Sequence, residues 1–246
     1  MGGIAAGPAT VSLPMTTRAL GEIGQGESLP DHLPKSPIPL FRAWFDDAHR
    51  RRWQPNPNAM TLATIDPDGR PSARVVLCKH LHDDLGCLVF FTNYNGRKGR
   101  ALQANPRAAA VFHWDDVDRQ IRVEGPVTVS PPAESDDYFH SRRWESRLGA
   151  WASDQSEPIA SREALLNKVR HTAKQLGIDL AAAVSGQPIE IDRPPHWGGF
   201  RLWFESVELW CNGVGRIHDR ARWTRTLTKS GDTYSGGPWS ATRLQP

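Results

Sequence analysis

The segment Met60-Thr-Leu-Ala-Thr-Ile65, Asp66-Pro-Asp-Gly69, Arg70-Pro, Ser72-Ala-Arg-Val-Val-Leu-Cys-Lys79 sets two runs rich in apolar and β-branched residues on either side of a four-residue break. Proline in second place presets φ, and glycine in fourth place tolerates the conformation that ends the reversal. Asp66 to Gly69 is therefore a turn and its flanks a β-hairpin. Downstream, Leu88 to Thr92, Ala108 to Trp114 and Gln120 to Val129 are short, rich in Val and Phe and bounded by turn residues, the spacing of an antiparallel barrel or sandwich. Upstream, Leu40, Phe41, Trp44, Phe45 and Ala48 recur at helical spacing and run into Arg50 to Arg52, which suit a helix C-terminus. Gly99 to Ala104, stopped by Asn105-Pro106, predicts a short helix after the basic pair Arg97-Lys98. Ser130 and Ser161 open further helices, the second running to about Leu176. After a linker from Pro188 to Pro195, the pattern predicts strand from Phe200 to Cys211, a turn at Asn212-Gly213, strand from Arg216 to Thr226, and a last strand from Trp239 to Leu244. The expectation is a mainly β, antiparallel fold with flanking α-helices.

The 246 residues allow one large domain or a domain with an appendage. Residues 1 to about 35 are rich in Gly, Pro, Ser and Thr without periodicity, so residues 1–28 read as a flexible arm and 29–246 as a single domain. Hydrophobic residues make up 39%, enough to build a core, and a net charge of +3 is too small to announce a nucleic-acid or membrane-surface protein. The longest apolar stretch, Leu88 to Phe91, is far short of a bilayer span, and the first residues lack the basic start of a secretory signal, so the expected address is the cytoplasm. Cys78, Cys87 and Cys211 are odd in number with no C-x-x-C pair, which makes them buried free thiols.

Arg216, His218 and Arg220 alternate, so in a strand they share one face. Either an anion neutralises that face or acidic residues pair with it across strands. Arg74 and Lys79 bracket an apolar run, and Arg97-Lys98 stands before a helix, where backbone N–H groups and cations together hold a phosphate. Tyr138 and Arg142 are four apart, which places a ring and a guanidinium on one helical face as a phosphate clamp or an ordinary surface pair. Cys78, His80 and His82 alternate like metal ligands, but with no fourth ligand nearby they read as a strand end, and no metal is expected. Ten tryptophans beside basic residues could form a stacking platform for single-stranded nucleic acid. The balanced charge and the apolar settings of Trp44, Trp151, Trp197 and Trp203 assign them to the core instead.

Several segments together, Arg74-Val-Val-Leu-Cys-Lys79, Phe90-Phe-Thr-Asn-Tyr94, Arg97-Lys-Gly99, Arg119-Gln-Ile-Arg-Val123, Tyr138-Phe-His-Ser-Arg142, Gly149-Ala-Trp-Ala-Ser153, Gln155-Ser156, Trp197-Gly-Gly199, Arg216-Ile-His-Asp-Arg220 and Arg243-Leu-Gln-Pro246, carry a resemblance. Over about residues 29 to 246 the chain resembles the pyridoxine/pyridoxamine 5′-phosphate oxidases, enzymes built on an FMN-binding split β-barrel. The resemblance implies a homodimer with FMN at the subunit interface. It assigns FMN contacts to Arg74, Val75, Val76, Leu77, Cys78, Lys79, Phe91, Thr92, Arg97, Lys98, Gln120, Gln155, Ser156, Trp210 and Arg220. It assigns the substrate phosphate to Lys79, Tyr138, Arg142 and Ser146, and the pyridine ring and its reacting carbon to Arg216, Ile217 and His218. The implied reaction moves a hydride from C4′ of the B6 phosphate to FMN, with O2 as acceptor and hydrogen peroxide as product, Arg216 and His218 being the catalytic pair. Phenazine-pathway oxidases share the fold, and a non-catalytic binder of FMN or B6 phosphate is the further alternative. Arg147 stands where the family frequently has Gln, and Glu208-Leu-Trp-Cys-Asn-Gly213 departs from its usual pattern around Trp210.

Overall fold

The computed structural model describes residues 26–246; the expected arm, residues 1–28, lies almost wholly outside them. The chain enters through helix α1 (Ile38–Arg51), whose apolar stripe of Phe41, Trp44, Phe45 and Ala48 is buried and whose last turn carries His49, Arg50 and Arg51. Strands β1 (Ala59–Ile65) and β2 (Pro71–Leu77) form the predicted hairpin, with Ile65 opposite Pro71 across the turn. Then come β3 (His80–His82), β4 (Cys87–Asn93), helix α2 (Arg97–Ala104), β5 (Arg107–Trp114) and the long β6 (Arg119–Val129). Helices α3 (Pro132–His140), α4 (Trp144–Ala152), α5 (Arg162–Gln175) and α6 (Leu180–Val184) follow, then β7 (Trp197–Trp203), β8 (Ser206–Cys211), β9 (Asp219–Thr224), β10 (Leu227–Ser230), β11 (Thr233–Gly236) and β12 (Ser240–Leu244).

Every strand pairing is antiparallel, and one path runs β12-β9-β8-β6-β5-β1-β2. Strand β6 is long enough to serve two neighbours on the same edge: Arg119 to Glu124 pair with β8, whereas Val127 to Val129 pair with β7, which leads on to β4 and β3. That fork curls and splits the barrel. Its interior holds Phe41, Phe112, Trp114, Phe204 and Trp223, each fully buried, and burial of each such ring is worth about 2–3 kcal/mol. Helix α1 closes one end, the Phe41 ring lying 5.6 Å from that of Phe112 and 5.5 Å from that of Phe204. A second cluster, Phe139, Leu148, Ala150, Ala173, Ile191 and Trp197, packs α3, α4 and α5 against β7. Strands β4 and β7 are consequently buried on both faces. Ser161 caps α5 by accepting from the Ala164 N–H at 3.0 Å, as its position in the sequence predicts. All three cysteines are free and buried.

Several local expectations are corrected. Helix α2 begins two residues early, so Arg97 and Lys98 occupy its first turn. Helix α3 stops at His140, which leaves Arg142 in the turn before α4 and not on a shared helical face with Tyr138. The stretch Phe200 to Cys211 is two strands, β7 and β8, broken at Phe204-Glu205. Arg216, Ile217 and His218 are not strand residues: Gly215 and Arg216 have φ of 72° and 66°, which no strand accommodates, and β9 begins only at Asp219. The reversal folds back tightly, since a Cβ on Gly213 would lie 1.9 Å from the Ile217 carbonyl oxygen. Leu29, 3% exposed, already belongs to the core, and the Pro34 carbonyl accepts from Trp223 Nε1 at 2.8 Å, so residues 29–35 pack on the barrel. The hairpin β10–β11 had no expectation.

Candidate functional site

Between β2, β4, β7, the start of α2 and the α3–α4 turn lies a cavity of about 540 Å³. Among the described residues it is lined by five cations, Arg74, Lys79, Lys98, Arg142 and Arg143, and by no carboxylate. At the α2 end, Lys98 Nζ donates to Thr92 Oγ1 at 3.1 Å and to Gln155 Oε1 at 2.5 Å, both neutral acceptors. Burial, with the charge of Arg74 added, pushes the Lys98 ammonium below the usual lysine range. The Arg74 guanidinium likewise meets only neutral oxygens, Thr64 Oγ1 at 2.8 Å, Ser72 Oγ at 2.7 Å and the Leu62 carbonyl at 3.2 Å. Helix α2 comes this close because Gly99 has no side chain: a Cβ there would sit 2.1 Å from the Tyr94 carbonyl oxygen. Among the described residues the half-buried Arg74, Lys79, Lys98 and Arg142 meet no carboxylate, and only the exposed Arg143 is paired, to Glu145; such a cationic cavity is chemically an anion site.

At the other end, the rings of Phe91 and Tyr138 stack at 4.1 Å, Lys79 Nζ lies 5.5 Å from the Tyr138 ring centre, and Arg142 lies 4.6 Å from that of Trp197. Burial pushes the Arg142 guanidinium down from its ordinary value, and the charge of Arg147 adds to the effect. Ser146, at the start of α4, completes this end. Helix α3, which carries Tyr138, is fastened by Glu134, which accepts from Arg201 Nε and Nη2 at 3.0 Å each and lies 2.8 Å from His82 Nε2. Burial raises the Glu134 carboxyl, but the hydrogen bonds from Arg201 and His82 outweigh it and hold the group below the ordinary carboxylate range.

The cavity thus gathers Arg74, Val75, Val76, Leu77, Lys79, Phe91, Thr92, Lys98, Tyr138, Arg142, Ser146 and Gln155. Cys78 sits beneath it, its thiol in the core and pushed up to about 12 by burial. Arg97 and Ser156 do not line it but adjoin the lining residues Lys98 and Gln155 in the chain: Arg97 N–H donates to Ser156 Oγ at 3.2 Å, while its side chain is held by Asp66 Oδ2 at 2.9 and 2.6 Å. Gln120, Trp210, Arg216, Ile217, His218 and Arg220 form a separate group around β6, β8 and β9, in which Trp210 lies opposite both Gln120 and Arg220 and 4.8 Å from the His218 ring. They do not line the cavity of their own chain. In that group Arg220 is neutralised by Glu208 Oε1, at 3.1 Å from Nε and 2.8 Å from Nη2, so the cross-strand acidic partner holds for it. Sequence reasoning missed Arg143 and gave Trp197 to the core alone. Trp197 is in both places, 6% exposed and lining the cavity, and its Trp-Gly-Gly context was the available signal. Among the described residues, no group of three or more His, Cys, Asp or Glu is arranged to hold a metal ion, and no helix is long and apolar enough to cross a membrane.

A family model described as pyridoxamine 5′-phosphate oxidase matches residues 45–175, the part that builds most of the cavity. A second, described as the pyridoxine 5′-phosphate oxidase C-terminal dimerisation region, matches residues 197–246 and contains most of the separate group. The chain belongs to the pyridoxine/pyridoxamine 5′-phosphate oxidase family. A pyridoxine/pyridoxamine 5′-phosphate oxidase of Paraburkholderia xenovorans is 44% identical over 228 residues, 93% of this chain and 95% of that one. One of Gloeothece citriformis is 45% identical over 213 residues, 86% of this chain and 89% of that one. Among solved structures, PhzG from Burkholderia lata, in complex with tetrahydrophenazine-1-carboxylic acid, has a TM-score of 0.73 at 29% identity, covering 91% of this chain and 100% of that one. A pyridoxamine 5′-phosphate oxidase-related, FMN-binding protein of Nostoc punctiforme has a TM-score of 0.61 at 20% identity over 87% of this chain and 100% of that one, a likeness of fold. The split-barrel architecture expected from the sequence is the one shared across this oxidase family and its structural neighbours.

Proposed function

We propose that the protein oxidises pyridoxine 5′-phosphate or pyridoxamine 5′-phosphate to pyridoxal 5′-phosphate, with FMN as cofactor and O2 as electron acceptor, releasing hydrogen peroxide and, from the amine, ammonia after a water molecule hydrolyses the oxidised C–N bond. The observation that carries this reading is one cavity whose described lining has no carboxylate and holds two groups of cations, Arg74 with Lys98, and Lys79 with Arg142 beside the stacked rings of Phe91 and Tyr138. Two separate phosphate grips flanking one planar surface suit a flavin mononucleotide and a phosphorylated pyridine held together. The residues fit the flavin: Arg74 and Lys98, with the adjoining Arg97 and Ser156, would hold its phosphate, and Val75 to Leu77, Phe91, Thr92 and Gln155 would line the rest. When bound there, FMN would supply the redox chemistry, a two-electron acceptor for the hydride of C4′ that O2 can reoxidise.

The protein contributes orientation and electrostatics. Lys79, Tyr138, Arg142 and Ser146 hold the substrate phosphate and so fix where C4′ lies. The separate group around β8 and β9 belongs, in this reading, to the partner copy's site. A homodimer brings Arg216, Ile217 and His218 over the pyridine ring, and Gln120, Trp210 and Arg220 to the flavin. Arg216 and His218 then bias the loss of a proton from the reacting alcohol or amine, where charge develops. The expected compartment is the cytoplasm.

Purified protein supplied with FMN and air should generate peroxide with either phosphate, and its yellow colour should bleach with pyridoxine 5′-phosphate under anaerobic conditions. Colour that persists would make it a binder and not an oxidase. The likeness to PhzG supports one rival substrate class, a reduced phenazine carboxylic acid, and turnover of that compound but not of the B6 phosphates would replace the proposal.

A further inference from the structure

Arg142 differs from other arginines of its neighbourhood in what holds it. Arg97, Arg201 and Arg193 are fastened by Asp66, Glu134 and Asp136. The Arg142 guanidinium makes no hydrogen bond or ion pair with any described residue, and its Nη1 is buried without a partner. A long side chain with no polar anchor keeps its rotational freedom unless packing removes it. The packing here is aromatic, with the guanidinium 4.6 Å from the Trp197 ring centre and 5.6 Å from that of Phe139. Indole is the strongest π partner for a cation. Unlike a carboxylate, it neither cancels the charge nor occupies any of the five N–H donors.

Trp197 is itself rigid. It lies in β7 opposite Asn93 of β4, its ring runs nearly parallel to Phe91 at 5.6 Å, Phe139 meets it edge-on at 5.2 Å, and its carbonyl accepts from Arg193 Nη1 at 2.7 Å. We propose that Trp197 is the positioning residue for Arg142: its indole face fixes the guanidinium while leaving its charge uncancelled and the donors that face the cavity free for the substrate phosphate. This rests on the reading above that Arg142 grips that phosphate. It also accounts for a half-buried cation unopposed by any carboxylate among the described residues, because a counter-ion there would compete with the ligand.

The test is equilibrium binding of pyridoxal 5′-phosphate to the FMN-loaded protein, for wild type, Trp197→Leu, Trp197→Phe, Arg142→Gln and the two double variants. Trp197→Leu should weaken binding about tenfold, and Trp197→Phe, which keeps a weaker π face, about threefold. In the Arg142→Gln background each Trp197 change should matter less than about twofold, because the group it positions is gone. Equal losses with and without the Arg142 guanidinium would make Trp197 merely structural and overturn the proposal, as would no loss in either single variant. Should Trp197→Leu fail to retain FMN, the Trp197→Phe pair decides on the same criterion. Wild type that binds FMN but not pyridoxal 5′-phosphate would overturn the substrate reading and this inference together, whereas tight wild-type binding with uncoupled variants overturns this inference alone.

Discussion

Arg142 and Arg220 are guanidinium groups with the same intrinsic chemistry, set in opposite surroundings. Arg220 meets Glu208, whose side chain is 5% exposed and which also lies 3.4 Å from Arg122 Nη1. Arg142 meets two aromatic faces and a buried N–H with nothing to receive it. The first guanidinium has a counter-charge within its own chain, whereas the second has none among the described residues. In a chain with 30 Lys and Arg, a count of positive charge therefore locates nothing; the missing counter-ion does. The same contrast separates Lys98, which has only neutral acceptors, from its helix neighbour Arg97, which has Asp66.

The contrast breaks most sharply at Arg142. Arg142→Gln should raise KM for pyridoxine 5′-phosphate by roughly 100-fold, the loss of charge-assisted hydrogen bonds of about 2–3 kcal/mol to a phosphate. Steady-state kinetics would show it, and an unchanged KM would place Arg142 among the ordinary surface cations. Glu208→Gln should do the reverse, harming the fold before the site. Removal of one partner from a mostly buried ion pair should lower the unfolding free energy by about 2 kcal/mol in a urea titration. A loss under about 0.5 kcal/mol would mean that Arg220 and Arg122 do not depend on that carboxylate.

The smallest effect, and the one that sharpens the comparison, is at Lys98. An anion binds the ammonium form, and in the free protein burial has already moved that group's titration below the usual lysine range. FMN affinity should therefore decline as pH rises through that lowered value, earlier than an exposed lysine would allow. Lys98→Met should weaken FMN binding about tenfold at neutral pH and flatten this alkaline limb. Flavin fluorescence across the pH range would check both, and an identical limb in the variant would assign it to another group.

Much of the architecture was legible because it is written in local periodicity. The Asp66 to Gly69 turn, the apolar stripe of α1, the strands β4, β5 and β6 and the Ser161 cap each depend on residues within a few positions of one another. Reading failed where conformation depends on a non-local fit. Arg216 to His218 alternate like a strand, yet the close return of Ile217 onto Gly213 forces two positive φ values there. Tyr138 and Arg142 are spaced like helix neighbours, but α3 ends between them, and the contact that matters for Arg142 comes from Trp197, 55 positions away. The cavity's membership was readable in large part through whole segments resembling a known family, more than through any single spacing.

By itself, the sequence determined that the chain makes an antiparallel, helix-flanked β fold and that it carries several basic clusters suited to phosphate, because periodicity and side-chain chemistry are properties of short segments. Only the tertiary structure decided which cations meet one of the protein's own carboxylates and which meet none among the described residues. Ion pairing depends on separations of a few ångströms between residues such as Arg97 and Asp66 or Arg220 and Glu208, and those separations exist only after β6 has forked the sheet and α2, α3 and α4 have closed around β4 and β7.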